Sequence, residues 1–340
     1  MRGPIAMLIC ALLIAGCGDD DDGSTKPTQT EDLTVVQLNA LHGSTGSACL
    51  ATENCRLADR IDLLFEELAQ SGCPDVVTLQ ETWITSAPLI MQHLSTTCPF
   101  AYEAVQGTRK NTRDDEMVLT RYPVLDSGQR LLLGSFRHVL WVRIDHPLGP
   151  IDVFTTHLAS SSDGAEAVCD AGSGCPDECI AAGAQTRRDC QAVQMAAFIV
   201  EKHDIDSPAV VSGDFNESPG SFVYHAFADR GWIDAYLAAG NPECDPASGV
   251  GCTSGRQDES LVDLESPASS EVERIDFIFL IPPGAGFPCR MELDRAADRD
   301  GDGAATRLFP TGPAPGCGPS PAPICWPSDH MGVELDLSCR

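Results

Sequence analysis

Basic residues are scarce in this 340-residue chain: 22 Lys and Arg stand against 50 Asp and Glu, for a formal net charge of −28. Affinity for polyanions comes mainly from Lys and Arg, so the deficit counts against tight sequence-specific DNA binding. It leaves room for a hydrolase that meets an anionic ester through bound divalent cations. Aromatic residues are also few, at 6%, and no exposed aromatic hairpin suited to a membrane surface is evident. There is no internal repeat at a fixed period. Long hydrophobic runs are missing too. The N-terminal apolar stretch Ile5–Ala15 is too short to span a bilayer comfortably.

That stretch follows Arg2 and reads as a signal-peptide core. It ends in Ile14-Ala15-Gly16-Cys17, which resembles the bacterial lipobox, in which the cysteine is lipidated and becomes the new N-terminus. Simple secretion with cleavage nearby is the alternative. Residues 18–31 are acidic, lack apolar periodicity and read as a flexible tether. The expected organisation is a signal peptide over residues 1–16, lipidated Cys17 with its tether to residue 32, and one catalytic domain over 33–340 with a sizeable core. Localisation follows: exported, and either anchored to the cell envelope through lipid on Cys17 or secreted.

Cysteine is abundant, at 16 residues; setting aside Cys10 and Cys17 leaves fourteen. An even number in an exported chain points to disulfides, up to seven of them. The spacing is local: Cys49 with Cys55, Cys244 with Cys252, and a cluster at Cys169, Cys175, Cys179 and Cys190. Zinc ligation is the rival for that cluster. It is disfavoured by an oxidising compartment and by the small loop residues between the cysteines.

Thr34–Asn39 is a β-branched run that reads as a first core strand ending in a polar residue. Leu57, Ile61, Leu64, Phe65 and Leu68 then mark one apolar face of a helix that stops near Gly72. Asp75–Glu81 predicts a second strand. Four shorter segments, 101–106, 116–120, 130–133 and 139–145, predict a meander with one solvated face. Ile151–His157 predicts another strand, 160–183 a disulfide-pinned insertion, and Gln185–Lys202 a second major helix with Val193, Ala196, Ala197 and Val200 on one side. Residues 209–213 form a buried strand that runs into Asp214-Phe215-Asn216, and a helical turn starts after Ser221. Residues 240–270 read as polar loop, 274–280 as a strand, and Met331–Leu337 as the last strand, entered through Ser328-Asp329-His330. Many strands with few helices suggest two packed sheets with helices outside.

Polar groups recur where these apolar strands end: Asn39, Glu81, His157, Asp214, Asn216, Asp276, Asp329 and His330. One such residue is ordinary turn chemistry or a satisfied core group. Several together suggest a site, because a sheet fixes strand-end groups while the loops leave room for substrate. The ordered set Leu38-Asn39, Gln80-Glu81-Thr82-Trp83, Thr156-His157-Leu158, Gly213-Asp214-Phe215-Asn216, Arg274-Ile275-Asp276-Phe277 and Ser328-Asp329-His330 resembles the endonuclease/exonuclease/phosphatase superfamily, over roughly residues 33–338. That group includes secreted deoxyribonucleases, abasic-site nucleases, neutral sphingomyelinases and inositol-phosphate phosphatases.

The resemblance implies an α/β fold: a four-layer α/β/β/α sandwich of two mainly antiparallel or mixed sheets flanked by helices. It also implies a metal-dependent hydrolase of phosphoric esters, foremost a nuclease-like phosphodiesterase. Glu81 would be the main ligand of Mg²⁺, with Asn39 and Asp329 nearby and Mn²⁺ as a substitute; oxygen donors suit such a hard cation. Asp214 would orient or deprotonate the attacking water, and Asn216 would hold that water or a phosphate oxygen. Asp276 would pair with His330 and keep it charged for the pentacovalent phosphate, while His157 would contact the phosphate or protonate the leaving oxygen. The base itself and the number of metals stay open.

A second metal candidate is Asp298-Arg299-Asp300-Gly301-Asp302-Gly303, which resembles the start of an EF-hand calcium loop. Position 12 is Phe309 rather than a bidentate Glu, so structural Ca²⁺ at Asp298, Asp300 and Asp302 competes with a solvated acidic turn. Substrate choices are DNA or RNA, a phospholipid headgroup as in sphingomyelinase or phospholipase C, or a small phosphorylated molecule. Arg109, Lys110, Arg113, Arg187 and Arg188 are either a substrate path or surface charges. A monomer is expected. A surface binding protein that kept the fold and lost catalysis is the alternative from another class, and the full set of acidic and histidine residues argues against it.

Overall fold

The structure, a computed structural model, describes residues 32–41, 53–83, 85–108, 116–134, 137–256, 261–288, 291–293 and 306–339. The signal peptide, Cys17, the tether through residue 31, the calcium-loop residues Asp298, Asp300 and Asp302, and Arg109, Lys110 and Arg113 lie outside the described residues. Among the described residues no helix is long and apolar enough to cross a membrane.

The chain begins with β1 (Leu33–Asn39), crosses over through α1 (Glu53–Gln70), and returns as β2 (Val76–Gln80). A short α2 (Ala87–His93) leads to β3 (Glu103–Gln106), β4 (Met117–Thr120), β5 (Val124–Leu131), β6 (His138–His146) and β7 (Gly149–His157). The insertion after β7 carries α3 (Asp177–Ala181); α4 (Arg187–Lys202) then leads to β8 (Ala209–Asp214). Beyond lie α5 (Phe222–Ala228), β9 (Ile233–Asp234), α6 (Ala235–Ala238), α7 (Leu261–Leu264), β10 (Asp276–Ile281), β11 (Met291–Leu293), β12 (Thr306–Phe309) and β13 (Gly332–Cys339).

One sheet runs β11-β13-β1-β2-β4-β3, with β12 also paired to β13; the other runs β5-β6-β7-β8-β10-β9. β1 and β2 are parallel, as are β7 and β8, and the remaining described pairs are antiparallel. Each sheet is therefore built on one strand–helix–strand crossover, β1–α1–β2 and β7–α4–β8. This likeness of the two halves has no counterpart as a sequence repeat. Leu57, Ile61, Leu64, Phe65 and Leu68 of α1 pack on one sheet with Val36, Leu38, Val77 and Leu79. α4 and α5 pack on the other through Met195, Ile199, Val223 and Phe227 against Phe154, Val211 and Phe279. Between the sheets lie Val35, Val76, Val153, Val210, Ile278 and Val333. The α/β/β/α sandwich is thus realised, with mixed sheets.

Strand alternation sends every second side chain between the sheets. Along β1 those are Leu33, Val35, Gln37 and Asn39; along β8, Val210, Ser212 and Asp214; along β7, Ile151, Val153, Thr155 and His157. The inter-sheet layer passes from aliphatic, through amide and hydroxyl, to ionisable groups as it nears one rim. The middle tier is hydrogen-bonded both within and across the sheets. Gln37 Nε2 donates to Gln80 Oε1 at 2.8 Å, Gln80 Nε2 to Thr155 Oγ1 at 2.9 Å, and Thr78 Oγ1 meets Ser212 Oγ at 2.8 Å. Buried polar atoms carry a large desolvation cost unless so paired.

Three expectations need correction. The segments read as one meander divide between the sheets, β3 and β4 in one, β5 and β6 in the other. β4 is buried along its whole length and β6 nearly so, because helices cover the outer faces, so solvent reaches β5 and, in part, β3. On α4, Ala197 and Val200 point to solvent; the buried stripe is Ala192, Met195, Ala196 and Ile199, at helical spacing i, i+3, i+4 and i+7. The two- to four-residue strands β9, β11 and β12 have no sequence signal, because so few residues carry no period.

Cysteines pair locally. Cys244–Cys252 forms as spaced, and the four-cysteine cluster resolves into Cys169–Cys175 and Cys179–Cys190, which consumes the thiols that zinc would need. Cys73–Cys98 and Cys317–Cys325 are further bridges. Cys55 is also disulfide-bonded, while Cys49 lies outside the described residues.

Candidate active site

Asp214 closes β8, and its position is prepared on both sides. Gly213 has φ +147°, and a Cβ there would fall 2.1 Å from the Thr156 carbonyl oxygen, so only glycine lets β8 lie this close to β7. Phe215 turns the opposite way into the helix-side core, edge-on to Phe227 at 5.0 Å and Phe277 at 5.5 Å between ring centroids. Asn216 then takes a left-handed backbone, φ 53°, which asparagine tolerates better than most residues. Its N–H donates to Asp214 Oδ1 at 2.9 Å and its Nδ2 to the Leu158 carbonyl at 2.9 Å. Asn216 therefore fixes Asp214 and the β7 exit.

The other oxygen, Asp214 Oδ2, is where the cluster meets. Asn39 Nδ2 donates to it at 3.1 Å, His157 Nε2 lies 3.3 Å away and His330 Nε2 3.9 Å away. His330 Nδ1 is 2.9 Å from Asp276 Oδ2, whose second oxygen accepts from Gln37 Nε2 at 3.0 Å. Asn39 Nδ2 also reaches Glu81 Oε1 at 3.0 Å, and Glu81 Oε1 lies 3.9 Å from His157 Nδ1. The Asn39 oxygen accepts the Leu41 N–H at 3.0 Å, so in this arrangement the amide joins two carboxylates through its nitrogen. Glu81 leaves β2 with φ 58°, an uncommon conformation for glutamate that recurs at functional sites. Asp329 is buried next to His330, and Ser328 Oγ donates to the Asn39 carbonyl and lies 3.1 Å from Asp329 Oδ1.

The sheets thus bring together Asn39, Glu81, His157, Asp214, Asn216, Asp276 and His330, with Asp329 alongside. Burial, then the charge of Asp276, push Asp214 up to about 7, against the opposing pull of His330, the Asn216 N–H and Asn39. Burial works against a charged His330, but Asp276 and Asp329, with the Asp276 hydrogen bond and Asp214, overcome it and raise its pKa well above 6.5. The site therefore holds a cationic imidazole and a carboxylate that can exchange a proton near neutrality.

Four carboxylates, Glu81, Asp214, Asp276 and Asp329, face two imidazoles here, an excess of negative charge in a buried setting. The donor set is oxygen and imidazole nitrogen without thiolate, and Glu81, with its side chain 15% exposed, is more accessible than Asp214 or Asp276. A hard divalent cation such as Mg²⁺ or Mn²⁺ fits that charge balance and donor chemistry. Asp214, Asp276 and His330 also offer ligand atoms within 4.8 Å of one another. The direct Asp276–His330 hydrogen bond marks that trio as a charge-paired dyad beside Asp214.

Sequence reasoning missed several residues. Gln37 and Gln80 are readable as polar positions inside apolar strands, Gln37 at the pleat parity of Asn39 on β1 and Gln80 at that of Val76 and Thr78 on β2. Glu116 Oε2 and His138 Nε2, both fully buried, lie 2.6 Å apart, and Glu116 Oε1 accepts the His157 N–H at 3.0 Å. No sequence signal marks them, since Glu116 follows an acidic pair and His138 opens an apolar strand. Arg188 is neither a surface charge nor part of a substrate path; it is buried and bonded to Glu166 and Glu217. Arg187 is half-buried, with Nη1 on the Asp163 carbonyl at 2.9 Å.

A two-sheet sandwich with an acid–imidazole cluster at one rim defines a class of phosphoric-ester hydrolases, and the comparisons with known proteins agree. The chain belongs to the endonuclease/exonuclease/phosphatase family, whose profile matches residues 36–330. It is a hydrolase of phosphoric esters, from a family that works with divalent metals. No curated protein sequence matches it. Similar solved structures include zebrafish (D. rerio) TDP2 complexed with a single-strand DNA product, at 17% identity, covering 90% of this chain and 99% of that one with a TM-score of 0.58. A mannosyl-6-phosphatase from Bacteroides thetaiotaomicron is similar at 17% identity, 90% and 99% coverage and a TM-score of 0.56. A family protein from Bacteroides vulgatus follows at 18% identity, 91% and 99% coverage and a TM-score of 0.57. At these identities the likeness is one of fold.

Proposed function

We propose that this protein is an exported, Mg²⁺-dependent phosphodiesterase of the nuclease-like kind. The observation that carries the reading is the contact line Asp276–His330–Asp214–His157 at the shared sheet rim. A phosphodiester is anionic and resists attack, so cleavage needs charge neutralisation, an activated water and a route for protons. Glu81, with Asp329 and, once its amide turns over, the Asn39 side-chain oxygen, would hold a divalent cation, which would supply that neutralisation. Asp214 orients a water and takes its proton as the new oxygen–phosphorus bond forms. His330, kept cationic beside Asp276, stabilises the charge that builds on the pentacovalent phosphate. His157 protonates the departing ester oxygen as its bond to phosphorus breaks, and the His157–Asp214 contact at 3.3 Å returns the proton from Asp214. Asn216 keeps Asp214 in place.

Turnover of bis-p-nitrophenyl phosphate and plasmid DNA with Mg²⁺, lost in EDTA, is the expected result; no turnover of any phosphoric ester by folded protein sinks the enzyme reading. A second reading, a phosphatase of small phosphorylated molecules, is favoured by the net charge of −28, which repels long polyanions. Turnover of p-nitrophenyl phosphate alone would select it. Export rests on the N-terminal apolar run and Cys17. A Cys17→Ser variant is expected to leave the membrane fraction and lose incorporation of labelled fatty acid, and unchanged partitioning would refute the anchor.

A further inference from the structure

The residues of the proposed mechanism leave the sheets at β1 and β7, where ladder hydrogen bonding stops and the exit loops need other support. In each half one buried arginine from the crossover helix provides it. Arg60 of α1 is fully buried and bonded to main-chain carbonyls: Nη1 to Ala40 at 3.1 Å and Pro327 at 3.1 Å, Nη2 to Leu41 at 2.9 Å, and Nε to Cys55 at 2.9 Å. It thereby holds the loop after Asn39 to the segment that precedes Asp329. Arg188 of α4 does the equivalent for the other half. Its Nη1 donates to the Ala159 carbonyl at 2.9 Å, and its Nη2 pairs with Glu166 at 2.8 Å and with Glu217, the neighbour of Asn216. Gln191, one turn on, accepts the Ala159 N–H at 2.9 Å and donates to Leu133 at 2.8 Å. Both main-chain polar groups of Ala159 are thus held from one helix face, two residues beyond His157.

We propose that Arg60 and Arg188, the latter with Gln191, are positioning residues: paired carbonyl clamps, one per half, that set where Asn39 and His157 stand relative to Asp214. Neither guanidinium touches the reacting atoms. A guanidinium suits the task because its planar fork of donors is always charged and engages several acceptors at fixed angles. The clamp stands on geometry alone, but its kinetic consequence rests on the phosphodiesterase reading above.

The test uses the full chain, with Arg188→Ala, Arg188→Lys and Gln191→Met, and Arg143→Ala as a control at the far end of the same sheet, where Arg143 pairs with Asp152. Misplacement by about 1 Å costs on the order of 10²-fold in rate, so the Arg188→Ala kcat on bis-p-nitrophenyl phosphate should fall roughly 10- to 100-fold with KM within about twofold. Added guanidinium should restore part of it. Lysine should rescue little, because one ammonium cannot span Ala159 and Glu217. Arg143→Ala should lose thermal stability without loss of kcat. Independently of turnover, amide exchange at Leu158 and Ala159 should accelerate in Arg188→Ala and Gln191→Met and not in Arg143→Ala. Accelerated exchange with no turnover by the unmodified protein would keep the clamp and sink the phosphodiesterase. Unchanged exchange at 158–159, or kcat losses in Arg188→Ala no larger than in Arg143→Ala, would overturn the clamp.

Discussion

Neighbouring groups set the proton affinities of two residues, His330 and Asp214, on which the chemistry depends. His330 is raised above 6.5 by Asp276 and Asp329, so it stays a cation as pH climbs past neutrality and loses its proton only well beyond. Histidine-selective NMR of the metal-free protein should find that late titration. In Asp276→Asn the titration should move to lower pH and draw the alkaline limb of kcat/KM with it; an unmoved titration would contradict the pairing. Asp214 works as a base only after losing its proton, so with its pKa near 7 the acid limb of kcat/KM should rise through neutrality. The sequence made these residues legible singly, as polar ends of apolar strands. It could not convey that three of them meet one carboxylate oxygen, because their separations in sequence are unrelated to their separation across two sheets.

At the scale of elements, the β8 exit is held by Gly213 against Thr156 and by Phe215 in the aromatic cluster of α5 and β10. Phe215→Ala should cost about 3–5 kcal/mol in a denaturant titration, as buried phenylalanines do, and should loosen Asp214 with it. An effect below about 1 kcal/mol, the range of surface changes, would show that the motif is anchored elsewhere. The Cys179–Cys190 bridge ties α3 to the first turns of α4. Replacing both cysteines with alanine should lower stability by about 2–4 kcal/mol, read by thermal melts with and without reductant. The long elements were legible because their apolar periods run for several turns or pleats. α1 follows its sequence pattern, whereas α4 does not: Ala197 and Val200 are apolar yet solvent-facing, and Met195 and Phe198 take the buried places. Periodicity identifies a helix more securely than it identifies the face.

For the whole molecule, the decisive feature is the gradient of the inter-sheet layer, from Leu33, Ile151 and Leu280 at one end to Asn39, His157 and Asp276 at the other. Each strand carries a fragment of it, visible in sequence as a polar residue at every second position near the strand end. Which fragments face each other depends on sheet order, and the division of the β3–β6 segment between two sheets was not legible. Concentrating four carboxylates at that rim makes a divalent cation stabilising as well as useful. Saturating Mg²⁺, at about 100 times its dissociation constant, should add roughly 2.7 kcal/mol to unfolding. Steady-state hydrolysis of bis-p-nitrophenyl phosphate with Mg²⁺, comparing the unmodified chain with His330→Ala, reads out metal-assisted cleavage at this rim. Metal-dependent turnover is expected to be abolished by EDTA and reduced about 10²- to 10³-fold in the variant, the range for one group that stabilises transition-state charge, with unchanged circular dichroism. Turnover left undiminished by EDTA, or by the loss of His330, would contradict that assignment.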